Sequence, residues 1–219
     1  SIGFGPTINR IDGELTSQVP NAFTPGTNDG KVKISGDDTA IGFNAGILVQ
    51  ATDSTRVGLT YHSKVSYNLK GTTKVTGGTF SLLGLSGQSY DAKLGLDTPE
   101  SVDFSATHQF NNDWTLYVGS TWTRWSRFQE VVIKSPSNAS PKLQNVVEEQ
   151  NWHDTWAYAV GTSYQLTKQV VLRTGLTFDQ SPTNNTDRSP RIPTGDRTIF
   201  SLGLGYQVMD NMTIDLAYS

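Results

Sequence analysis

The chain has 219 residues, 35% of them apolar, and a mean hydropathy of −0.38, which is low for a soluble domain built around an oily core. Its 17 basic and 20 acidic residues are intermixed and leave a net charge of −3, so there is no basic stripe to neutralise phosphates and no reading as a nucleic-acid binder. Cysteine is absent, which removes disulfide and thiol chemistry; no apolar run reaches the length of a membrane helix, and the opening SIGFGPTINR has neither part of a signal peptide.

What the chain does have is two-residue alternation, the period of a strand with one buried face. In chain order it predicts about nine strands, near residues 1–16, 40–52, 55–71, 99–110, 114–134, 152–166, 169–180, 196–208 and 212–219. In TRVGLTYHSKVSYNLK the pattern puts Val57, Leu59, Tyr61, Val65, Tyr67 and Leu69 on one face and Arg56, Gly58, Thr60, His62, Lys64, Ser66, Asn68 and Lys70 on the other. Further along, Leu172, Leu176 and Phe178 oppose Arg173, Gly175 and Thr177, and Phe200, Leu202, Leu204 and Tyr206 oppose Ser201, Gly203, Gly205 and Gln207.

The connections are unequal. Short turns are predicted at 52–54, 111–113, 167–168 and 210–211, whereas the others are long loops rich in Gly, Pro, Asn, Ser and Thr, such as SPTNNTDRSPRIPTG. Short turns on one rim with long loops on the other, plus aromatics such as Trp114, Trp122, Trp156 and Tyr164 near strand ends, are the signature of an outer-membrane barrel. A soluble sandwich accounts for the alternation but not for strands this long joined by turns this regularly unequal. The fold class expected is therefore all-β: an antiparallel transmembrane β-barrel forming one domain over 1–219. An odd strand number, with MTIDLAYS stopping mid-strand, implies a partial barrel.

Three stretches resemble the long-chain fatty acid and aromatic-hydrocarbon transporter family of outer-membrane proteins. They are GFNAGILVQATDSTRVGLTYHSKVSYNLKG, with its TYHSKV segment; LDTPESVDFSATHQFNNDWTLYVGSTWTRWSRFQEV, with Pro-Glu before a strand and a W-S-x-F-Q pattern; and AVGTSYQLTKQVVLRTGLTFDQSPTNNTDRSPRIPTGDRTIFSLGLGYQV, with R-T-G-x-x-F-D-x-S-P, R-x-x-x-I-P and D-R in order. The resemblance implies a fourteen-stranded barrel, plugged by an N-terminal hatch and opened laterally at a kinked strand, of which this chain is about nine strands without the hatch or the final strands. It further implies passive, non-enzymatic uptake of long-chain fatty acids or similar hydrophobic ligands across a bacterial outer membrane. An aromatic-hydrocarbon channel, or an adhesive barrel with a sealed lumen, is the alternative. The partners it implies are the ligand, outer-membrane lipid and lipopolysaccharide; the full-length protein is expected to be a monomer needing no cofactor.

In such a family a basic residue from the loop before the Trp152 strand and an Arg from the strand matching 1–16 hold the ligand carboxylate. Here the loop position falls on Glu148 and Glu149, and Arg10 lies close to the other. The candidate ligand-contacting residues are Arg10, Arg56, His62, Lys64 and Arg173, basic groups on or near the polar strand faces. For each, the alternatives are a lumen charge paired with an acid such as Asp103, Asp179 or Asp215, or a contact to the hatch. His62, His108 and His153 lack a nucleophile and orienting group at a catalytic spacing, so no catalytic residue is assigned, and no spacing suits a metal. The segment SPSNASPKLQNVVEEQ is expected to hold a short amphipathic turn through Leu143, Val146 and Val147.

Overall fold

The computed structural model describes residues 1–21, 29–134, 145–184, 186, 188 and 194–219. The described strands are β1 (Ile2–Val19), β2 (Gly30–Thr52), β3 (Thr55–His62), β4 (Val65–Thr76), β5 (Ser89–Thr98), β6 (Ser101–Gln109), β7 (Trp114–Thr123), β8 (Glu130–Lys134), β9 (Asn145–Glu149), β10 (Thr155–Gln165), β11 (Val170–Asp179), β12 (Arg197–Met209) and β13 (Met212–Tyr218). Among the described residues, helical structure is limited to α1 (Gly78–Leu82) and one 3-10 turn at Trp125–Arg127. No described helix is long and apolar enough to cross a membrane.

All thirteen strands belong to one antiparallel sheet, and they reduce to nine staves, because β3 with β4, β5 with β6, β7 with β8 and β9 with β10 are each one interrupted stave. The pairing shows this directly: Thr55↔His108 in β3–β6 and Val65↔Thr98 in β4–β5 keep a common register across the interruption. The nine predicted strands thus correspond to nine staves. The sequence reading lacked β5, the first half of β2 and the strand character of 145–149, where an amphipathic turn was expected; Leu143 lies outside the described residues. The sheet does not close on itself, since β1 bonds only β2 and β13 only β12.

Below the interruptions, strand lengths match the bilayer. β6, β7, β10 and β11 have 9, 10, 11 and 10 residues, about what a tilted strand needs to cross hydrocarbon. Two aromatic rows mark the rims: Trp114 faces Tyr164 near the short turns, and Trp122 faces Trp156 eight residues on, roughly 27 Å along the strand. Between them the outward face is apolar and bare, with Ile2 at 84% and Ile8 at 82% exposure, the arrangement of a lipid-facing wall rather than a water-facing one.

At the interruptions the apolar face changes sides. Tyr61 of β3 pairs with Ala45, on the outward face of β2, but Thr73 and Val75 of β4 pair with Ile34 and Val32, on its inward face. Alternation alone had put Val57, Leu59, Tyr61, Val65, Tyr67 and Leu69 on one face; the structure corrects this, with the first three outward and the last three buried inward. The cause is an extra residue at Ser63. Its Oγ accepts the Phe43 N–H at 2.8 Å while its own N–H bonds the Phe43 carbonyl at 2.9 Å, so the β2 register slips by one, from Asn44↔His62 to Asp37↔Lys70. A one-residue slip turns every later side chain to the other face.

Above the slip the sheet curls inward along a line of small residues. Gly13 faces Gly36, Gly36 faces Gly71, and Gly71 faces Ala92, on four neighbouring staves. A Cβ on Gly71 would meet the Ser35 carbonyl oxygen at 1.7 Å, a backbone approach that only glycine permits. The curl lets Leu15 of β1 reach Ala92 of β5 and Val131 of β8. Gly71→Ala is therefore expected to cost about 1–3 kcal/mol as overpacking, whereas Gly95→Ala, with no atom within 4 Å of its added Cβ, leaves stability unchanged. Chemical unfolding of the two variants in detergent checks this.

Candidate functional site

The curl produces a concave apolar surface on the inner side of the upper sheet. Val65, Tyr67 and Leu69 pack with Ile11, Leu94 and Leu96, and Ala92 and Val131 pack with Leu15, Ile34 and Phe128. A residual cavity of about 60 Å³ remains over the glycine line. Its walls are mostly apolar, with Gly13, Gly36, Gly71, Ala92, Ile34 and the leucines beside them joined by Ser35 and Lys93. A larger concavity of about 560 Å³ lies at β10–β13, but it is lined by outward leucines and tyrosines of the lipid face together with Arg173 and its neighbours, and encloses nothing.

The floor of the cleft is the belt of interruptions. Phe128 joins the two, packing against Ala92 and Val131 and meeting the Trp152 ring edge-on at 4.7 Å; Trp152 in turn meets Trp125 at 5.0 Å. Glu100, in the gap between β5 and β6, anchors this belt. Its Oε1 accepts from Arg127 Nη2 at 2.7 Å and from Arg124 Nη1 at 3.2 Å, while Oε2 accepts from Arg127 Nε. The Arg127 bonds hold the buried Glu100 carboxyl down at about 2, against an opposing contribution from burial. Gln129 ties the gaps of two staves together, its Nε2 donating to the Ser126 carbonyl at 2.7 Å and the Trp152 carbonyl at 3.0 Å. Two buried donors in the same belt, Gln150 Nε2 and Trp152 Nε1, have no hydrogen-bond partner among the described residues.

The residues singled out from sequence are spread rather than gathered. Arg10 lies on the outward face beside Asp37 at 3.4 Å, opposite in facing to His62. Arg56 donates to Gln50 Oε1 at 3.2 Å, and Lys64 pairs with Asp97 at 3.5 Å. His62 stands between Asn44 Oδ1 at 2.9 Å and Asp103 Oδ2 at 3.3 Å, and Asp103 accepts from Thr121 at 2.7 Å. Arg173 bonds Asp215 at 2.7 Å, and Arg197 pairs with Asp179. Arg56, His62 and Arg173 share the inward face, but β3 and β11 are four staves apart, roughly 19 Å at ordinary strand spacing. Asp179 and Asp215 are ion-paired to arginines, and Asp103 lies 3.3 Å from the His62 ring.

Glu148 and Glu149 fall inside β9, across from β8, and the loop before β10 is 150–154 instead. His153 there donates its N–H to the Pro182 carbonyl at 3.0 Å, and Asp154 caps the Ser126 N–H at 3.0 Å. Pro190, Arg191 and Pro193 lie outside the described residues. The sequence reading missed Glu100, Arg124 and Arg127 as a unit; Pro99, which cannot donate to a ladder, was the available sign of an interruption. Among the described residues no group of three or more acidic or imidazole side chains is arranged around a metal site.

Comparison with known proteins bears on these features. The profile described as "Outer membrane protein transport protein (OMPP1/FadL/TodX)" matches residues 1–219. A long-chain fatty acid transport protein of Escherichia coli is 30% identical over 98% of this chain and 50% of its own length, and outer membrane protein P1 of Haemophilus influenzae is 30% identical over 81% and 37%. The crystal structure of a Pseudomonas aeruginosa FadL homologue superposes with a TM-score of 0.86 at 30% identity, over 99% of this chain and 54% of that one. The Pseudomonas putida toluene transporter TodX has a TM-score of 0.67 at 19% identity, over 99% and 59%, and so shares the fold. The chain belongs to the outer membrane protein transport family, spans about half the length of the relatives it matches, and is a bacterial outer-membrane β-barrel segment.

The Glu100 pairing has a defined pH signature. With a folded value of about 2 against 4.5 unfolded, its stabilisation is complete above pH 4.5, declines as pH falls between those values and is gone below about 2. At neutral pH the difference between wild type and Glu100→Gln is expected to be on the order of 3 kcal/mol. It should shrink to nothing as the protonated wild-type side chain comes to resemble the amide. Urea midpoints of both proteins across pH 2–7 measure it.

Proposed function

We propose that this chain, as a member of the outer membrane protein transport family, forms the wall of a passive channel for hydrophobic compounds, with long-chain fatty acids as the principal ligand and no catalysis. The observation that carries the reading is the inversion of the apolar face at the interruptions. A barrel that only sealed the membrane would be oily outside and polar inside along its whole height. Here the inner surface turns apolar above the bilayer, where an oily molecule arriving from outside would first leave water. The hydrophobic effect then favours entry by roughly 25 cal/mol per Å² of apolar surface covered.

Below the cleft the inward wall carries Arg56, His62 and Arg173, and these are proposed as the polar groups a ligand head group passes. Each has a protein partner, so contact with a carboxylate exchanges one hydrogen bond for another and holds the ligand weakly, as transport requires. A second reading, an aromatic-hydrocarbon channel, is favoured by the edge-to-face rings of Trp125, Phe128 and Trp152 and by Glu100, which satisfies both nearby arginines.

The test is equilibrium binding of a fluorescent long-chain fatty acid, and of toluene in competition, to the intact protein in detergent. Ala92→Phe, which fills the cleft, is expected to weaken fatty-acid binding at least about tenfold, or ~1.4 kcal/mol. Unchanged binding by a folded Ala92→Phe protein would sink the cleft as the ligand site. Displacement by toluene with no fatty-acid binding of its own would select the hydrocarbon channel.

A further inference from the structure

Several cations of this chain pair with an acid on or beside a neighbouring strand, as in Arg10–Asp37, Lys33–Glu14, Lys64–Asp97, Arg173–Asp215 and Arg197–Asp179. One row of lysines is set differently. Lys70 of β4 faces Lys93 of β5, and Lys93 faces Lys134 of β8, so three ammonium groups stand side by side across three hydrogen-bonded strands. None of the three has an ion pair or side-chain hydrogen bond among the described residues, and all are exposed. Like charges directly opposite one another destabilise an antiparallel pair, so such a row calls for a counter-charge from elsewhere.

The row lines a depression of about 380 Å³ on the outward face, completed by Asn68, Gly95 and Glu130. Among the described residues Glu130 is the one carboxylate lining the depression, against three lysines; Asp91, facing Thr72, lies two residue pairs further along. The height of the row is set by β2, whose last outward apolar residue in this direction is Ile41. Asp37, opposite Lys70, lies four residues past it. That distance is ~13 Å along the strand and about 10 Å along the membrane normal, beyond the hydrocarbon and at the level of the head groups. The long-loop end of such a barrel faces the outside, so the leaflet at this height is the outer one.

We infer that Lys70, Lys93 and Lys134 form a docking site for the phosphorylated head group of an outer-leaflet lipid, the phosphates of lipopolysaccharide being the occupant. A phosphate between two ammonium groups replaces their repulsion with charge-assisted hydrogen bonds. The same lipid's acyl chains would lie along the apolar outward band below, Ile41, Phe43 and Ile47. The site follows from the outer-membrane location alone and holds whether the channel carries fatty acids or hydrocarbons.

The experiment is native mass spectrometry of the intact protein carrying this chain, purified in mild detergent and incubated with bisphosphorylated lipid A. Comparison proteins are the triple variant Lys70→Gln, Lys93→Gln, Lys134→Gln and the control Lys168→Gln at the opposite rim. Folding of each is confirmed by heat-modifiable migration on a gel. The wild type and the control are expected to retain lipid A, with the triple variant retaining at least fivefold less and enzymatically dephosphorylated lipid binding no better than to that variant. Equal retention by the folded triple variant, or equal binding of the dephosphorylated lipid, overturns the site. Displacement of lipid A by millimolar inorganic phosphate would overturn the assignment to a lipid and leave a site for the free anion.

Discussion

A backbone amide or carbonyl without a partner in hydrocarbon costs several kcal/mol, and every other feature of this sheet is arranged around that constraint. Between the two aromatic rows the ladders of β6, β7, β10 and β11 run without interruption, because water is absent there and no side chain is spared to replace a lost bond. The interruptions of the staves lie on the long-loop side, at Ser63, Glu100, 124–129 and 150–154, where the Ser63 hydroxyl, the Gln129 amide and the Asp154 carboxylate take over backbone donors and acceptors; two smaller register shifts, at Gln50–Thr52 and Gln207–Met209, sit at the opposite rim beside the short turns. Position in the membrane, rather than local propensity, decides where this chain is allowed to slip.

The slip has two consequences that work together. It sends the apolar side chains inward above the bilayer, and it leaves the outward face of the same staves free to carry charge. Inside, Leu15, Leu69, Leu94 and Phe128 meet over glycines that let the sheet fold in. Outside, alternation then requires residues such as Asn68, Lys70, Lys93 and Lys134. On the stave of β3 and β4 one extra residue thus converts an oil-facing wall into a surface that meets water and polar head groups, with an oily interior behind it. Two charged pairs of the inward face below are of a different kind, Arg173 being neutralised by Asp215 and Arg197 by Asp179.

The candidate site was less legible than the barrel. Basic residues drew the eye because a carboxylate needs a donor, yet Arg10 proved to face outward, and Arg56 and Arg173 stand four staves apart. A row such as Gly13, Gly36, Gly71 and Ala92 is invisible along the chain, since its members are separated by loops whose lengths set the register, and glycine is common enough that no single one announces a crease. Glu100, Arg124 and Arg127 were hidden for a related reason: two strands that looked like one continuous pattern are separated by a gap, and an ion pair across that gap has no periodicity to betray it.

The sequence by itself determined the antiparallel class, the number of staves, the short turns and the lipid-facing residues below the interruptions, because a two-residue period and turn chemistry are local properties that survive any arrangement of neighbours. Three quoted stretches also carried its family membership. Only the tertiary structure decided which face of each upper strand is inside, where the sheet creases and which charges meet. Those depend on register between strands distant along the chain, and a single-residue shift in register, as at Ser63, leaves the alternation of the sequence intact while reversing its meaning.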